Sequence, residues 1–314
     1  MSSFVSRRQL LKVGAIGMGG MLVPGYGLLH ARGSAASHSF KVGDIEITVL
    51  SDGRMSLPQS FLLPDIDPEK IDALFAEAAA GAPTFDLEVN AAIIKTGDRV
   101  VLVDTGGGTD FMPGMGKLPD LLSELSIDPE TITDVIFTHA HPDHFWGVID
   151  PFDEASRFTQ ARHFMASAEI DFWLAEDLEK KVSVQLQGVS IGTQRRLKSI
   201  KDQLTSCAPG DEIVPGVHAV DTAGHTAGHL SLHLTSKGEE LFIGGDVLSH
   251  PIVSFAQPEW RWGGDMDVEK AANVRVRTLD KLATDRIPLL GYHLPWPGLG
   301  RVERKGTGYR FASN

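Results

Sequence analysis

Val135-Ile136-Phe137-Thr138-His139-Ala140-His141-Pro142-Asp143-His144 runs from an apolar stretch straight into three imidazoles and a carboxylate. Residues 133–137 read as a short buried strand. In the extended chain that follows, alternate residues share a face, so His139 and His141 can grip one ion. Asp143 and His144 lie where the chain turns away and can reach a second ion. Pro142 lacks an N–H and restricts the backbone there. Imidazole nitrogen and carboxylate oxygen are good ligands for zinc and its neighbours. A lone histidine pair is more often a core or surface feature. Four such groups within six positions would, without a cation, repel protons and demand hydrogen bonds.

Working outward, three further donors sit at strand-to-loop boundaries, where rigid elements hold loop-borne ligands. His225 lies in Thr222-Ala223-Gly224-His225-Thr226-Ala227-Gly228-His229, Asp246 in Gly244-Gly245-Asp246, and His293 in Gly291-Tyr292-His293. The adjoining glycines permit tight turns and close approach to an ion. The set divides into His139, His141 and His225 for one ion, and Asp143, His144 and His293 for the other. Asp246 would bridge them. Two close divalent ions would lower the pKa of a bridging water and give hydroxide as nucleophile. They would also stabilise a developing oxyanion. Asp143 and Asp246 are the candidate catalytic carboxylates, with Asp143 placed to assist proton transfer. Zinc is the default cofactor, and Co2+, Mn2+ or Fe2+ suit the same donors.

The elements around these motifs form a consistent pattern. Residues 41–50 alternate as a half-buried strand that ends at the turn Ser51-Asp52-Gly53. Residues 68–80 read as a helix, with Asp67 as N-cap and Pro68 at the first position. Residues 91–96 and 99–103 form a hairpin across Gly97-Asp98. Helices are expected over 118–125, 167–176 and 268–283, and strands over 162–165, 217–221, 230–234, 240–243 and 287–290. The class is therefore α/β or α+β, with sheet layers covered by helices. Residues 37–314 show no Pro/Gly/Ser linker and read as one domain.

The five motifs HxHxDH, Val103-Asp104-Thr105-Gly106, the 222–229 segment, Gly244-Gly245-Asp246 and Gly291-Tyr292-His293 resemble, in order, those of the metallo-β-lactamase superfamily. The resemblance implies an αββα sandwich, a dinuclear metal site at one edge of the two sheets, and the ligand roles given above. It also implies that Asp104 orients a ligating imidazole. His229, four residues after His225, would then stand beside the metals, not on them. His163, His218, His233 and His250 lack ligand-like company. A closer resemblance is to the methyl parathion hydrolase-like branch. It rests on residues 43–53, on Asp171-Phe172-Trp173-Leu174, on His293-Leu294-Pro295-Trp296-Pro297-Gly298, and on Gly308-Tyr309-Arg310-Phe311. By that likeness Trp173 lines a leaving-group pocket. Phe111 is a further candidate wall. The likeness weakens over 181–206 and 249–267, the segments expected to shape the pocket.

The implied activity is hydrolysis of a small-molecule ester, meaning an organophosphate triester, an aryl ester or a lactone. An N-acyl homoserine lactone lactonase is the nearest rival. Lactonases of this kind use a mid-chain tyrosine, whereas the tyrosines here are Tyr26, Tyr292 and Tyr309. A non-catalytic exported metal-binding protein is the alternative from another class. The only cysteine, Cys207, excludes an intrachain disulfide.

The chain has 314 residues and a formal net charge of −12. The first 36 residues hold four of its 29 Lys and Arg and no acids, so the remainder carries 25 bases against 41 acids, a net of −16. Such a surface repels phosphate backbones and argues against nucleic acid as a partner. Ser6-Arg7-Arg8-Gln9-Leu10-Leu11-Lys12 resembles a twin-arginine export motif. A Gly-interrupted apolar run and Gly33-Ser34-Ala35-Ala36 follow it. That order is the order of a signal peptide over 1–36. It implies passage through the twin-arginine translocase to the periplasm or beyond, with no permanent membrane span. A homodimer stays open as an assembly. Replacing both Arg7 and Arg8 by Lys is expected to hold the precursor inside the cell, read by fractionation and immunoblotting. Normal secretion of that variant would overturn the export assignment.

Overall fold

The computed structural model describes residues 36–152, 154–182 and 186–313. The signal expected over 1–36 falls outside the described residues, except for Ala36. Two seven-stranded sheets organise the chain. The first runs in sequence order: β1 Ser37–Val42, β2 Ile45–Ser56, β3 Asp86–Thr96, β4 Arg99–Val103, β5 Asp134–Ile136, β6 Arg162–Ala166 and β7 Leu204–Cys207. Its first three junctions are antiparallel, and β4 through β7 are parallel. The second sheet comprises β8 Glu212–Val214, β9 Val217–Asp221, β10 Leu230–Ser236, β11 Glu239–Ile243, β12 Leu289–Leu290, β13 Leu299–Lys305 and β14 Gly308–Ser313. All its pairings are antiparallel except β11 with β12.

Period-two alternation decides which residue meets which layer. Ile47, Val49, Ala92, Ile94, Val101, Val103 and Ile136 point one way. They pack against Val217, Leu230, Leu232, Leu234, Leu241 and Ile243 between the sheets. The neighbouring residues Ala91, Ile93, Leu102, Val135 and Phe137 point the other way. They meet the helices α1 Gln59–Leu62, α2 Pro68–Glu77, α3 Leu118–Glu124, α4 Pro142–Phe145, α5 Ser167–Trp173, α6 Leu178–Lys181 and α7 Gln187–Ser199. On the second sheet, Phe242, Leu289 and Val302 face α8 Val253–Ala256 and α9 Val268–Asp285 through Phe255, Val274, Leu279 and Leu282. Both faces of both sheets are therefore buried, which gives the four-layer αββα sandwich. No helix among the described residues is long and apolar enough to cross a membrane.

Some local readings change. The strand expected over 41–50 is two strands joined at Gly43-Asp44, where Gly43 takes φ +54°. The expected turn at Ser51-Asp52-Gly53 is a bulge inside β2. The cause is Asp52, a buried carboxylate that accepts from the backbone N–H groups of Gly107, Gly116 and Leu118 at 2.8–3.0 Å. It fastens β2 to the loop after β4. Asp67 caps α2 as expected, accepting from Glu69 N, but that helix stops at Glu77. The helix begun at Ser167 stops at Trp173. Strands β7, β8, β13 and β14 carry too little alternation to stand out in the sequence.

β4 and β5 are parallel neighbours, as are β11 and β12. Their C-terminal ends lie at the same edges of their sheets, where open α/β sheets place ligands. Asp104, His139, Asp246 and His293 each follow one of these four strands. Asp52→Asn is expected to lower stability by about 2–3 kcal/mol, because an amide nitrogen would face a backbone N–H that the carboxylate now satisfies. Urea unfolding followed by fluorescence checks this. An unchanged midpoint would show that Asp52 does not anchor the loop.

Candidate metal centre

The seven predicted donors converge on two adjoining points. His139 Nε2, His141 Nδ1 and His225 Nε2 form the first group, with the His141 nitrogen 3.0 Å from that of His139 and 2.9 Å from that of His225. Asp143 Oδ2, His144 Nε2 and His293 Nε2 form the second group, separated by 3.2–3.4 Å. Asp246 spans both. Its Oδ1 lies 3.0 Å from His144 Nε2 and 3.2 Å from His293 Nε2, while its Oδ2 lies 3.3 Å from His225 Nε2.

These atoms face a common space more than they face each other. Asp143 Oδ2 and Asp246 Oδ1 are buried, and neither has a hydrogen-bond partner. The nearest polar groups are the Nε2 atoms of His144 and His293, at 3.0–3.3 Å. Burying two such oxygens unpaired is costly, and a cation is the simplest compensation. The donor set, five imidazoles and two carboxylates, suits two divalent cations.

Outer partners fix which nitrogen faces inward for His139, His144, His225 and His293. The Thr138 hydroxyl donates to Asp104 and accepts from His139 Nδ1, at 2.8 and 3.1 Å. Asp104 also accepts from His144 Nδ1 at 2.8 Å. His293 Nδ1 donates to the Glu88 carbonyl at 2.6 Å, and His225 Nδ1 to Asp265 Oδ1 at 3.0 Å. The Tyr292 hydroxyl donates to the Asp143 carbonyl at 2.7 Å, and its ring stacks on His144 at 3.8 Å. Asp104 and His229 thus stand beside the donors, as the sequence implied. The reason for His229 is explicit. Its Nδ1 donates to Thr222 and its Nε2 accepts the Asp246 N–H, so neither nitrogen is left for an ion.

Three supporting residues were not singled out from the sequence. Glu169 accepts from Ala140 N, Trp173 Nε1, Thr226 Oγ1 and Gly228 N at 2.7–2.9 Å. It ties the His139–His141 segment to the His225 segment. A Cβ on Gly228 would stand 2.3 Å from Glu169 N, so only glycine fits there. Asp265 and Arg275 are the other two. Asp265 sits in the glycine-rich 263–267 loop, and Arg275 reads as one more cation on an amphipathic helix, so nothing local marks either. Glu169 is four residues before Trp173 on a helix, the one spacing that could have drawn notice.

A cavity of about 260 Å³ opens above the donors. Its walls include Met55, Leu57, Phe61, Leu87, Phe111, Met112, Leu186, Val189 and Trp262, and His141, Asp143, His225, Asp246 and His293 form its floor. Phe111 is among these walls. Both weakly matched segments contribute, through Leu186 and Val189, and through Ser249, Trp262 and Gly264. Trp173 does not line this cavity. It is buried, donates to Glu169, and stands edge-on to the His141 ring at 6.1 Å.

Fold and site together define an αββα protein built around a two-cation donor set. Residues 84–291 match the sequence profile of the metallo-β-lactamase superfamily, and the chain belongs to that superfamily. Among solved structures it is similar to AidC, a dizinc quorum-quenching lactonase, at 26% identity and TM-score 0.83, covering 89% of this chain and 97% of that one. It is also similar to AbOPH, a hydrolase of the beta-lactamase superfamily, at 27% identity and TM-score 0.82, covering 90% and 99%. The N-acyl homoserine lactonase AiiB of Agrobacterium fabrum (strain C58) is 21% identical over 247 residues, 69% of this chain and 82% of that protein.

Without cations the electrostatics split. Burial, then neighbouring imidazolium charge, holds His139 well below the ordinary histidine value, and likewise His141, at about 3. Burial also opposes charge on His144 and His293, but Asp246 and Asp143 outweigh it. His144 is raised well above its ordinary value and His293 to about 9. At pH 7 both are protonated in the stripped protein, and both must lose that proton to ligate. Zinc added to chelator-stripped protein at pH 7 should therefore release protons, from these imidazoles and from any water it activates. Affinity should rise as pH climbs toward 9. Calorimetry in buffers of differing ionisation enthalpy reads the release, and its absence would contradict the charge assignment.

Proposed function

We propose that the chain is a metal-dependent hydrolase of uncharged ester-type substrates, either lactones or aryl and organophosphate esters, carried by two zinc ions. His139, His141 and His225 would hold one ion, and Asp143, His144 and His293 the other, with Asp246 shared. Ions held there would supply Lewis acidity and a water of lowered pKa. The observation that carries the substrate reading is the composition of the cavity. Apart from the donors and Ser249, its lining is apolar, and among the described residues it contains no Lys, Arg or Tyr. Ser249 is itself engaged, donating to the Asp246 carbonyl. An anionic substrate would find no protein cation there, whereas an alkyl or aryl flank would be desolvated on all sides.

The protein groups have separable tasks. Met55, Leu57, Phe61, Phe111, Met112 and Leu186 exclude water and orient the apolar arm. Asp143 lines the cavity beside the donors and is the carboxylate placed to take a proton from the attacking water or pass one to the leaving group. Asp246 fixes the spacing of the two donor groups, and His229 fixes Asp246 through its backbone N–H. Tyr292 is spent on the Asp143 carbonyl and cannot assist a substrate carbonyl.

The similarity to the lactonases AidC and AiiB favours the lactone reading. The absence of a cavity tyrosine among the described residues, and the likeness to the methyl parathion hydrolase-like branch, favour aryl and organophosphate esters. Export through the twin-arginine translocase to the periplasm belongs to the same proposal. The competing reading, an exported metal-binding protein without turnover, shares every donor and differs only in catalysis.

Metal analysis combined with a panel of p-nitrophenyl esters, methyl parathion and N-acyl homoserine lactones tests the proposal. Two ions per chain and turnover of at least one uncharged substrate are expected. Asp246→Ala should lose metal and lower turnover by more than about 100-fold, since even an outer partner of a metal ligand is worth about 10–100-fold. Full activity in that variant would refute the shared role. Two bound ions with no turnover across the panel would leave the non-catalytic reading standing.

A further inference from the structure

Arg275 lies in α9, outside both donor groups and the cavity, yet its side chain is only 4% exposed. Each of its three guanidinium nitrogens donates. Nη2 donates to Asp265 Oδ2 at 2.7 Å, Nη1 to the carbonyls of Pro258 and Trp260 at 2.9 and 3.3 Å, and Nε to the carbonyl of Val247 at 3.3 Å. Val247 follows Asp246 directly. Pro258 and Trp260 precede Trp262, a wall of the cavity. The other oxygen of Asp265 accepts from His225 Nδ1 at 3.0 Å.

The backbone reinforces the same connection. Met266 N donates to the His225 carbonyl and Asp267 N to the Gly224 carbonyl, each at 2.9 Å. A Cβ on Gly224 would stand 2.6 Å from Ala271 N, so the turn carrying His225 rests directly on the first turns of α9. A Cβ on Gly264 would meet His225 Cε1 at 3.0 Å. The His225 ring is therefore held by the loop and helix that Arg275 organises, while Glu169 holds the neighbouring Thr226 and Gly228.

We propose that Asp265 and Arg275 are a positioning pair, which holds His225 in the ring orientation and tautomer that aim Nε2 at the first donor group, and which joins that group to the cavity wall. The inference rests on the two-cation reading of the site. The second donor group is anchored elsewhere, by Asp104 on His144 and by the Glu88 carbonyl on His293. Loss of the Asp265 contact is thus expected to fall on the first ion, whereas Arg275 also reaches Val247 beside the shared Asp246. Arginine is required because one planar fork serves four acceptors, whereas a lysine ammonium offers three donors from a single point. A buried Arg–Asp pair is a weak source of stability, since desolvation offsets attraction. Placement of a ligand is a function that such a pair can serve.

Two variants test this, with zinc as the probe. In Asp265→Asn one amide oxygen cannot accept from both His225 and Arg275, while the shape is kept. The variant is expected to keep its melting cooperativity but lose one of two zinc ions. The chelator concentration that strips the weaker ion should fall about 10–100-fold. KM for the best ester of the panel should stay near the unsubstituted value, because the Pro258 and Trp260 contacts remain. Arg275→Lys should weaken the same ion and also raise KM several-fold by loosening the Trp262 wall. Retention of both ions at unsubstituted chelator resistance in Asp265→Asn, or parallel loss of both ions, would overturn the inference. An unsubstituted chain that binds no zinc would instead overturn the two-cation reading itself.

Discussion

Two carboxylates, Asp143 and Asp246, are buried against five imidazoles with oxygens that hydrogen-bond to nothing, and the rest of this structure is arranged around that fact. Stripping water from two anions is expensive, by several kcal/mol each in real proteins. Neutral imidazoles whose outer nitrogen carries the proton cannot offset it; only an added proton or a cation can. Lone pairs from seven side chains therefore meet in one small volume. Positive charge must be supplied there, by protons on His144 and His293 or by divalent ions that replace them.

The scaffold meets this demand through a layer of buried polar residues that never reach the cavity. Asp104 holds His144 and, through Thr138, His139. Glu169 joins the loops that carry His141 and His225. Asp265 holds His225, and burial alone would raise its carboxyl. Hydrogen bonding from His225 and the charge of Arg275 bring it below the ordinary carboxylate value. Each outer acid contacts two or more elements distant in sequence, so ligand geometry is set by the fold and not by any one loop. The apolar layers between and outside the sheets supply the rigidity that makes such placement reproducible.

Above the donors the chemistry reverses, from crowded polar groups to hydrocarbon and aromatic rings. Such walls confer preference for uncharged, apolar-flanked molecules without naming one. They are contributed by the first strands, by the loop carrying Phe111, by α7 and by the 249–267 segment. Of these, α7 and the 249–267 segment are the parts of the chain with the weakest likeness to the branch proposed from sequence. Reactivity and selectivity are thereby separated along the sequence.

All seven donors were legible in the sequence, because metal ligation needs particular residue types at strand ends and leaves short motifs such as HxHxDH and Gly-Gly-Asp. The strand–helix alternation was legible too, since burial of both sheet faces enforces apolar periodicity in Val101 to Val103 and Val135 to Phe137. The hairpin at Gly43-Asp44 and the bulge at Asp52 were not, because a carboxylate that accepts three distant N–H groups looks locally like a turn residue. Nor could the sequence show that Trp173 faces Glu169 and not the cavity, or that Asp265 and Arg275 stand behind His225. Those facts depend on tertiary packing, in which Glu169 meets Thr226 and Gly228, and Asp265 meets His225, across tens of positions. One-dimensional spacing carries no signal for that, so only the tertiary structure decided which polar side chains support the site and which apolar ones shape the space above it.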